Sequence, residues 1–317
     1  MECRICDRKD DHITYQVREM MIGLRETFHY FSCSSCGCLQ IVEIPQSMAR
    51  YYPPTYYSFS NEPSSEGLLS KWARRERAKY AVYGKGVMGG LLYRRFPNPA
   101  LRSLSRLGVM NEARILDVGC GSGSVLYALR QIGFTNLLGI DPYIDDDIRY
   151  ENGVSILKTT IEALASQWDV IMFHHSFEHA SRPLEMLQAA SRRLSEDGVC
   201  IVRIPVVSSF AWDHYGVHWV QLDAPRHFFL HSSDSMALLA RQAGLKVEDV
   251  VCDSTALQFW GSEQYLRDIP LYSERSYAVN PSNGIFSRGQ IEAFERQAER
   301  LNASHRGDQA AFYLRRR

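Results

Sequence analysis

Arg114-Ile115-Leu116-Asp117-Val118-Gly119-Cys120-Gly121-Ser122-Gly123-Ser124 decides how the rest of the chain is read. Apolar, β-favouring residues run into an acid and then into three glycines at alternate positions, and an amphipathic segment, Val125 to Phe134, follows. That order spells a buried parallel strand, a glycine loop and a helix. The glycines allow a sharp turn and a close ligand, and the helix start offers unpaired N–H groups. Further on, Leu137-Leu138-Gly139-Ile140-Asp141 is a second apolar strand ending in an acid. An acid there can take both hydroxyls of a ribose at the carboxyl end of a sheet. A dinucleotide loop places its glycines first, third and sixth. Counted from Gly119 the sixth residue is Ser124, and the third glycine comes early, at Gly123. Asp117, two residues ahead of the loop, would repel a pyrophosphate and attract a cation.

Asp117-x-Gly119-x-Gly121-x-Gly123 with Asp141 resembles the motif I loop and adenosine-binding acid of class I S-adenosylmethionine (SAM) methyltransferases. The resemblance implies an α/β, Rossmann-like sheet of seven strands whose last strand is antiparallel. It also implies SAM as cofactor, with Asp117, Gly119, Gly121, Gly123, Asp141, Pro142 and His174 around it and adenine contacts at Thr160 and Ile161. The pattern supplies the strands: Arg114 to Val118, Leu137 to Ile140, Ser155 to Lys158, Asp169 to Phe173, Val199 to Ile204, Lys246 to Cys252 and Asp308 to Leu314. Helices are expected at Pro183 to Leu194, Ser233 to Ala243 and Gln290 to Asn302.

The 317 residues can hold one large α/β domain and a small accessory unit. Thirty-six basic and 36 acidic residues cancel, so no global field draws the chain to nucleic acid or membrane. No long uncharged apolar run offers a membrane span, and Met1-Glu2-Cys3 begins no signal peptide, so the expected compartment is the cytoplasm. Eight cysteines there read as metal ligands and buried thiols. Cys3-x-x-Cys6 and Cys33-x-x-Cys36, separated by a strand-like stretch, match a closed four-sulfur zinc ribbon over residues 1–45, structural in role, with Cys38 a spare thiol. Residues 46–110 follow as a connector. Its Tyr-Pro strap can pack or can act as a lid that offers Tyr56 and Tyr57 to a substrate. Its helical part, Leu68 to Leu107, carries many Lys and Arg against Glu76 alone: a solvated face, or a site for an anionic substrate or RNA. Residues 111–317 make the SAM domain, with an insertion at about 259–287.

The strand from Asp169 runs into His174-His175-Ser176-Phe177-Glu178-His179, where an acceptor meets cofactor in open α/β sheets. With Pro183 this run resembles the Glu-His segment of methyltransferases that act on sugars, quinones and small hydroxylated molecules. Zinc-bearing sugar C-methyltransferases also place a cysteine ribbon ahead of the SAM domain, and their Glu-His pair lies in the active site. That implies active-site roles for Glu178 and His179; the resemblance departs from those enzymes at their long further C-terminal domain, so transfer to oxygen rather than to sugar carbon is the expectation. A histidine suits the task of taking a hydroxyl proton. His179 is the first candidate base, with Glu178 orienting it, and His175 joins the catalytic set; a metal could instead be held by His175, His179 and Glu178. Asp223-Ala224-Pro225-Arg226-His227, in a long polar loop, resembles a segment of glycan-pathway methyltransferases. Arg226 could bind an acceptor anion, and His227 could bind the acceptor or replace His179 as base.

Together these expectations describe a SAM-dependent methyltransferase that O-methylates a sugar or sugar-containing, nucleotide-activated intermediate. The rivals are an RNA methyltransferase that grips nucleic acid with ribbon and basic helices, although the neutral charge disfavours nucleic acid, a small-metabolite methyltransferase, and a non-catalytic binding module.

Overall fold

The computed structural model describes residues 1–52, 67–282 and 285–317. Its first strands are β1 (Ile13–Arg18), β2 (Thr27–Ser32), β3 (Leu39–Ile41) and β4 (Arg114–Val118). There follow β5 (Asn136–Ile140), β6 (Ile148–Arg149), β7 (Ser155–Leu157) and β8 (Trp168–His174). The last are β9 (Leu194–Pro205), β10 (Phe229–Leu230), β11 (Leu245–Cys252) and β12 (Gln309–Arg316). Helices fill the intervals, among them Leu68–Tyr83, Val87–Arg95, Ser124–Gln131, Pro183–Arg193, Ser233–Gln242 and Arg288–Ala303.

The large sheet has the order β11-β12-β9-β8-β4-β5-β7-β6. β4 pairs in parallel with β5 and with β8, β5 with β7, and β8 with β9. The seven strands expected from the sequence are all present, and the last of them is inserted between the fifth and the sixth. This is the α/β arrangement of class I methyltransferases. Chain direction switches between β4 and β8, and a ligand crevice lies beyond the carboxyl ends of strands at such a point. β4 can sit there because Ile115, Leu116 and Val118 are buried, as a strand covered on both faces requires.

Two details exceed the expectation. β6 forms an antiparallel hairpin with β7 and adds an eighth strand. β9 starts five residues early, but its register jumps from Leu194 opposite Trp168 to Val199 opposite Val170, so Glu196-Asp197-Gly198 lies in an irregular stretch between the expected helix and strand.

A second sheet has the order β1-β2-β3-β10, all pairs antiparallel. Its last strand lies almost two hundred residues beyond the others, and no run of alternating residues announces it. Chain contacts divide the protein into two compact units. One comprises Met1–Tyr51, Glu178–Glu185 and Ile204–Phe312, the other Tyr52–Phe177, Met186–Arg203 and Tyr313–Arg317. This partition cuts across the consecutive segments 1–45, 46–110 and 111–317 read from the sequence. The cysteine-bearing N-terminus shares a unit with the later chain because β10 completes its sheet. No helix among the described residues is long and apolar enough to cross a membrane.

Candidate functional site

In the second unit, the glycine loop closes over the ends of β4 and β5. Gly119 N–H donates to Ile140 O at 2.8 Å, and Gly121 N–H donates to Asp141 Oδ2 at 2.9 Å. Gly119 has φ +68, and a Cβ there would lie 2.5 Å from Ser176 Cβ; at Gly123, φ +73, it would lie 2.4 Å from the Ile156 side chain. Both positions therefore demand glycine for conformation and for space. Asp117 is buried, and its Oδ1 has no hydrogen-bond partner. Burial, and then the neighbouring Asp141 carboxylate, push its pKa up to about 8. An orphaned buried carboxyl of this kind is poised for a cation. The amino-acid ammonium of SAM fits it, and Asp141, which also accepts Tyr143 N–H at 2.9 Å, stands at the end of β5 where ribose hydroxyls are taken. Thr160 and buried Ile161 follow β7 along the same sheet edge, and Pro142 is exposed beside Asp141. His174 ends β8 opposite Arg203, and His175 has φ +52 with its N–H donating to Arg203 O at 3.0 Å.

The first unit holds two further clusters. The Sγ atoms of Cys3, Cys6, Cys33 and Cys36 all lie within 4.8 Å of one another, with 3.6 Å between Cys3 and Cys36 and 3.5 Å between Cys6 and Cys33. Tetrahedral zinc with bonds of about 2.3 Å needs sulfurs about 3.8 Å apart, so the donor set fits. The hydrogen bond with Cys36, foremost, and N–H donors from Ile5 and Gln40 lower the pKa of the Cys3 thiol. Cys38 stands apart from the four: buried, with Sγ 3.9 Å from His231 Nδ1, its thiol is raised well above the ordinary value by desolvation.

Glu178, His179 and His227 form the other cluster, with one ligand atom of each within 4.8 Å of the others. His179 Nδ1 donates to Arg226 O at 2.7 Å, and His227 Nδ1 donates to Gln221 O at 2.8 Å. A carbonyl only accepts, so each neutral ring carries its lone pair on Nε2. The rings meet edge to face at 4.9 Å, and His227 Nε2 is 3.9 Å from buried Glu178 Oε1 and 3.8 Å from Asp223 Oδ2. Desolvation first, and then the charge of His227, lower the pKa of His179, which keeps the ring unprotonated. Phe228 N–H donates to Glu178 O at 2.9 Å and fixes the backbone there.

The structure thus gathers Asp117, Gly119, Gly121 and Asp141 in one unit, and Glu178, His179 and His227 in the other. It adds His227 to the Glu-His pair where the sequence offered His175 as third ligand. Arg226 is fully buried, and its guanidinium is engaged by Asp223, Glu19 and Tyr51 O rather than presented to an acceptor. Asp223 was legible as a partner three residues before Arg226; Glu19 and Gln221 carried no such signal. Tyr56 and Tyr57 lie outside the described residues.

A family model described as a methyltransferase domain matches residues 92–250. No curated protein sequence matches the chain. Among solved structures, the cyclopropane synthase MmaA2 from Mycobacterium tuberculosis aligns at 14% identity and TM-score 0.41, covering 75% of this chain and 97% of its own. A SAM-dependent methyltransferase from Mesorhizobium loti aligns at 14% identity and TM-score 0.41, covering 68% and 98%. The complex of the Haloferax volcanii Trm112 methyltransferase activator with a methyltransferase aligns at 17% and 0.43, covering 78% and 94%.

Proposed function

Because the chain belongs to the methyltransferase-domain family, and so is a SAM-dependent enzyme, we propose that it methylates a hydroxyl of a sugar or sugar-containing acceptor, with His179 as base. The observation that carries the chemistry is the paired anchoring of His179 and His227 on backbone carbonyls beside buried Glu178. SAM supplies an electrophilic methyl on a sulfonium and leaves as a neutral thioether. Asp117 and Asp141 hold its ammonium and ribose. An acceptor hydroxyl is a poor nucleophile until its proton has somewhere to go. His179 Nε2 is the group that would take that proton, and the lowered pKa keeps the ring unprotonated at neutral pH. Glu178 steadies the imidazolium that results, and His227 is the second proton acceptor in reach of the same carboxylate. The acceptor class rests on the resemblance of 174–183 and 223–232 to sugar and glycan-pathway enzymes.

The four cysteines hold a structural zinc in this reading, supported by their spacing and by the N–H donors that favour thiolate at Cys3. Incubation with methyl-labelled SAM and three pools, nucleotide sugars, total RNA and a small-metabolite extract, tests the acceptor. Label in nucleotide sugars supports the proposal. Label in RNA would recast the basic helices between Leu68 and Arg106 as a nucleic-acid grip, and label only in the extract would remove the sugar.

A further inference from the structure

The turn between β1 and β2 is folded around a buried carboxylate. Glu19 Oε1 accepts from Met21 N–H at 3.0 Å and Ile22 N–H at 2.9 Å; Oε2 accepts from Gly23 at 2.9 Å and Leu24 at 2.8 Å. A fifth donor reaches Oε1 from more than two hundred residues away: Arg226 Nη2, at 2.8 Å. The same guanidinium gives Nε to both oxygens of Asp223 at 3.0 Å, Nη2 to Asp223 Oδ1 at 2.6 Å and Nη1 to Tyr51 O at 3.1 Å. The side chains of Arg226 and Glu19 are 0% exposed. One buried guanidinium between two carboxylates is held rigidly, because any loosening strands a charge away from water.

That residue's backbone carbonyl is the acceptor for His179 Nδ1. The cysteines and Glu19 stand at opposite ends of the β1–β2 hairpin: Cys3 and Cys6 precede β1, Cys33 and Cys36 follow β2, and Glu19 sits in the turn. The ribbon also reaches the second imidazole, since Tyr30 OH donates to His227 O at 2.9 Å.

Resting on the reading of His179 as base, we propose that Glu19 and Arg226 are positioning residues: they clamp the Arg226 carbonyl so that His179 stays in its Nδ1–H tautomer with the lone pair on Nε2. Neither residue touches substrate. The cysteine ribbon is on this account part of the machinery that sets the base, through the turn farthest from its sulfurs. The charged and titratable groups of this unit around His179 are Glu178, His227, Asp223 and Arg226, and the clamp fixes the last two.

The test is the tautomer itself, read by long-range proton–nitrogen spectra of the full-length protein labelled with 15N-histidine. His179 is assigned by its loss in His179→Gln. Wild type is expected to show the Nδ1–H form alone; an Nε2–H form would overturn the proposal at once. Glu19→Gln and Arg226→Lys should each shift the tautomer ratio roughly two- to tenfold, the worth of one hydrogen bond. The SAM Kd should stay within about twofold, since Asp117 and the glycine loop belong to the other unit. Should Glu19→Gln fail to fold, Arg226→Lys, which keeps the charge, decides. An unchanged ratio in a folded variant sinks the clamp. Turnover that survives His179→Ala sinks the base instead, and leaves the spectra as they are.

Discussion

Asp117 is a carboxyl that the fold makes reluctant to ionise. With its pKa at about 8 against 3.8 in the unfolded chain, the folded protein holds an extra proton between those limits. Stability of the ligand-free protein therefore falls as pH rises through that window. A bound ammonium reverses the preference, so SAM binding should expel a proton. Its affinity should climb by up to about tenfold per pH unit below 8 and level off above it. Titration calorimetry in buffers of different ionisation heat reads both the slope and the proton, and Asp117→Asn should flatten the slope and weaken binding. At the other cluster, His179→Ala with Glu178→Gln should lower turnover by about 100-fold or more while SAM affinity holds, measured on whichever pool takes label. Because the pKa of His179 is lowered, the acid limb of its rate profile should lie below the ordinary histidine value. Asp117, the glycines and the Glu-His pair were legible because each sits at a fixed offset from a strand end. Glu19 was not: what makes it matter is one guanidinium far along the chain, and nothing within four residues hints at it.

The loop after β4 shows what an element asks of its residues. Gly119→Ala would meet both a left-handed backbone and Ser176 at 2.5 Å, so it should cost about 1–3 kcal/mol and weaken SAM binding. Thermal unfolding and a binding titration report the two effects; unchanged values in both would mean the loop relaxes without penalty. The strands of the large sheet were legible because buried parallel strands announce themselves as unbroken apolar runs between turn residues. β6 and β10 escaped for the opposite reason. Each is two residues long, and a strand of that length is created by its neighbour's hydrogen bonds rather than by its own pattern. His227 entered the cluster the same way, as part of the loop leading into β10, and not through any spacing relative to Glu178.

Across the whole molecule, cofactor loop and cysteine site fall in different compact units. Metal analysis should find one zinc per chain. A strong chelator should lower the melting temperature of the chain while changing the SAM Kd by about twofold or less, because the residues proposed to hold SAM share no segment with the four cysteines. A chelated protein that melts as before would remove zinc from the account of stability. The unit that carries the ribbon is assembled from three separate stretches, and this has a consequence for biosynthesis. Glu19 leaves the ribosome before Arg226 by an interval of roughly 10–40 s at about 5–20 residues per second. During that time its carboxylate lacks its buried counter-charge and β3 lacks β10. The hairpin and the four thiols can close without the later chain, so early metal capture would keep the nascent segment in register, and shielded from oxidants, until that chain arrives.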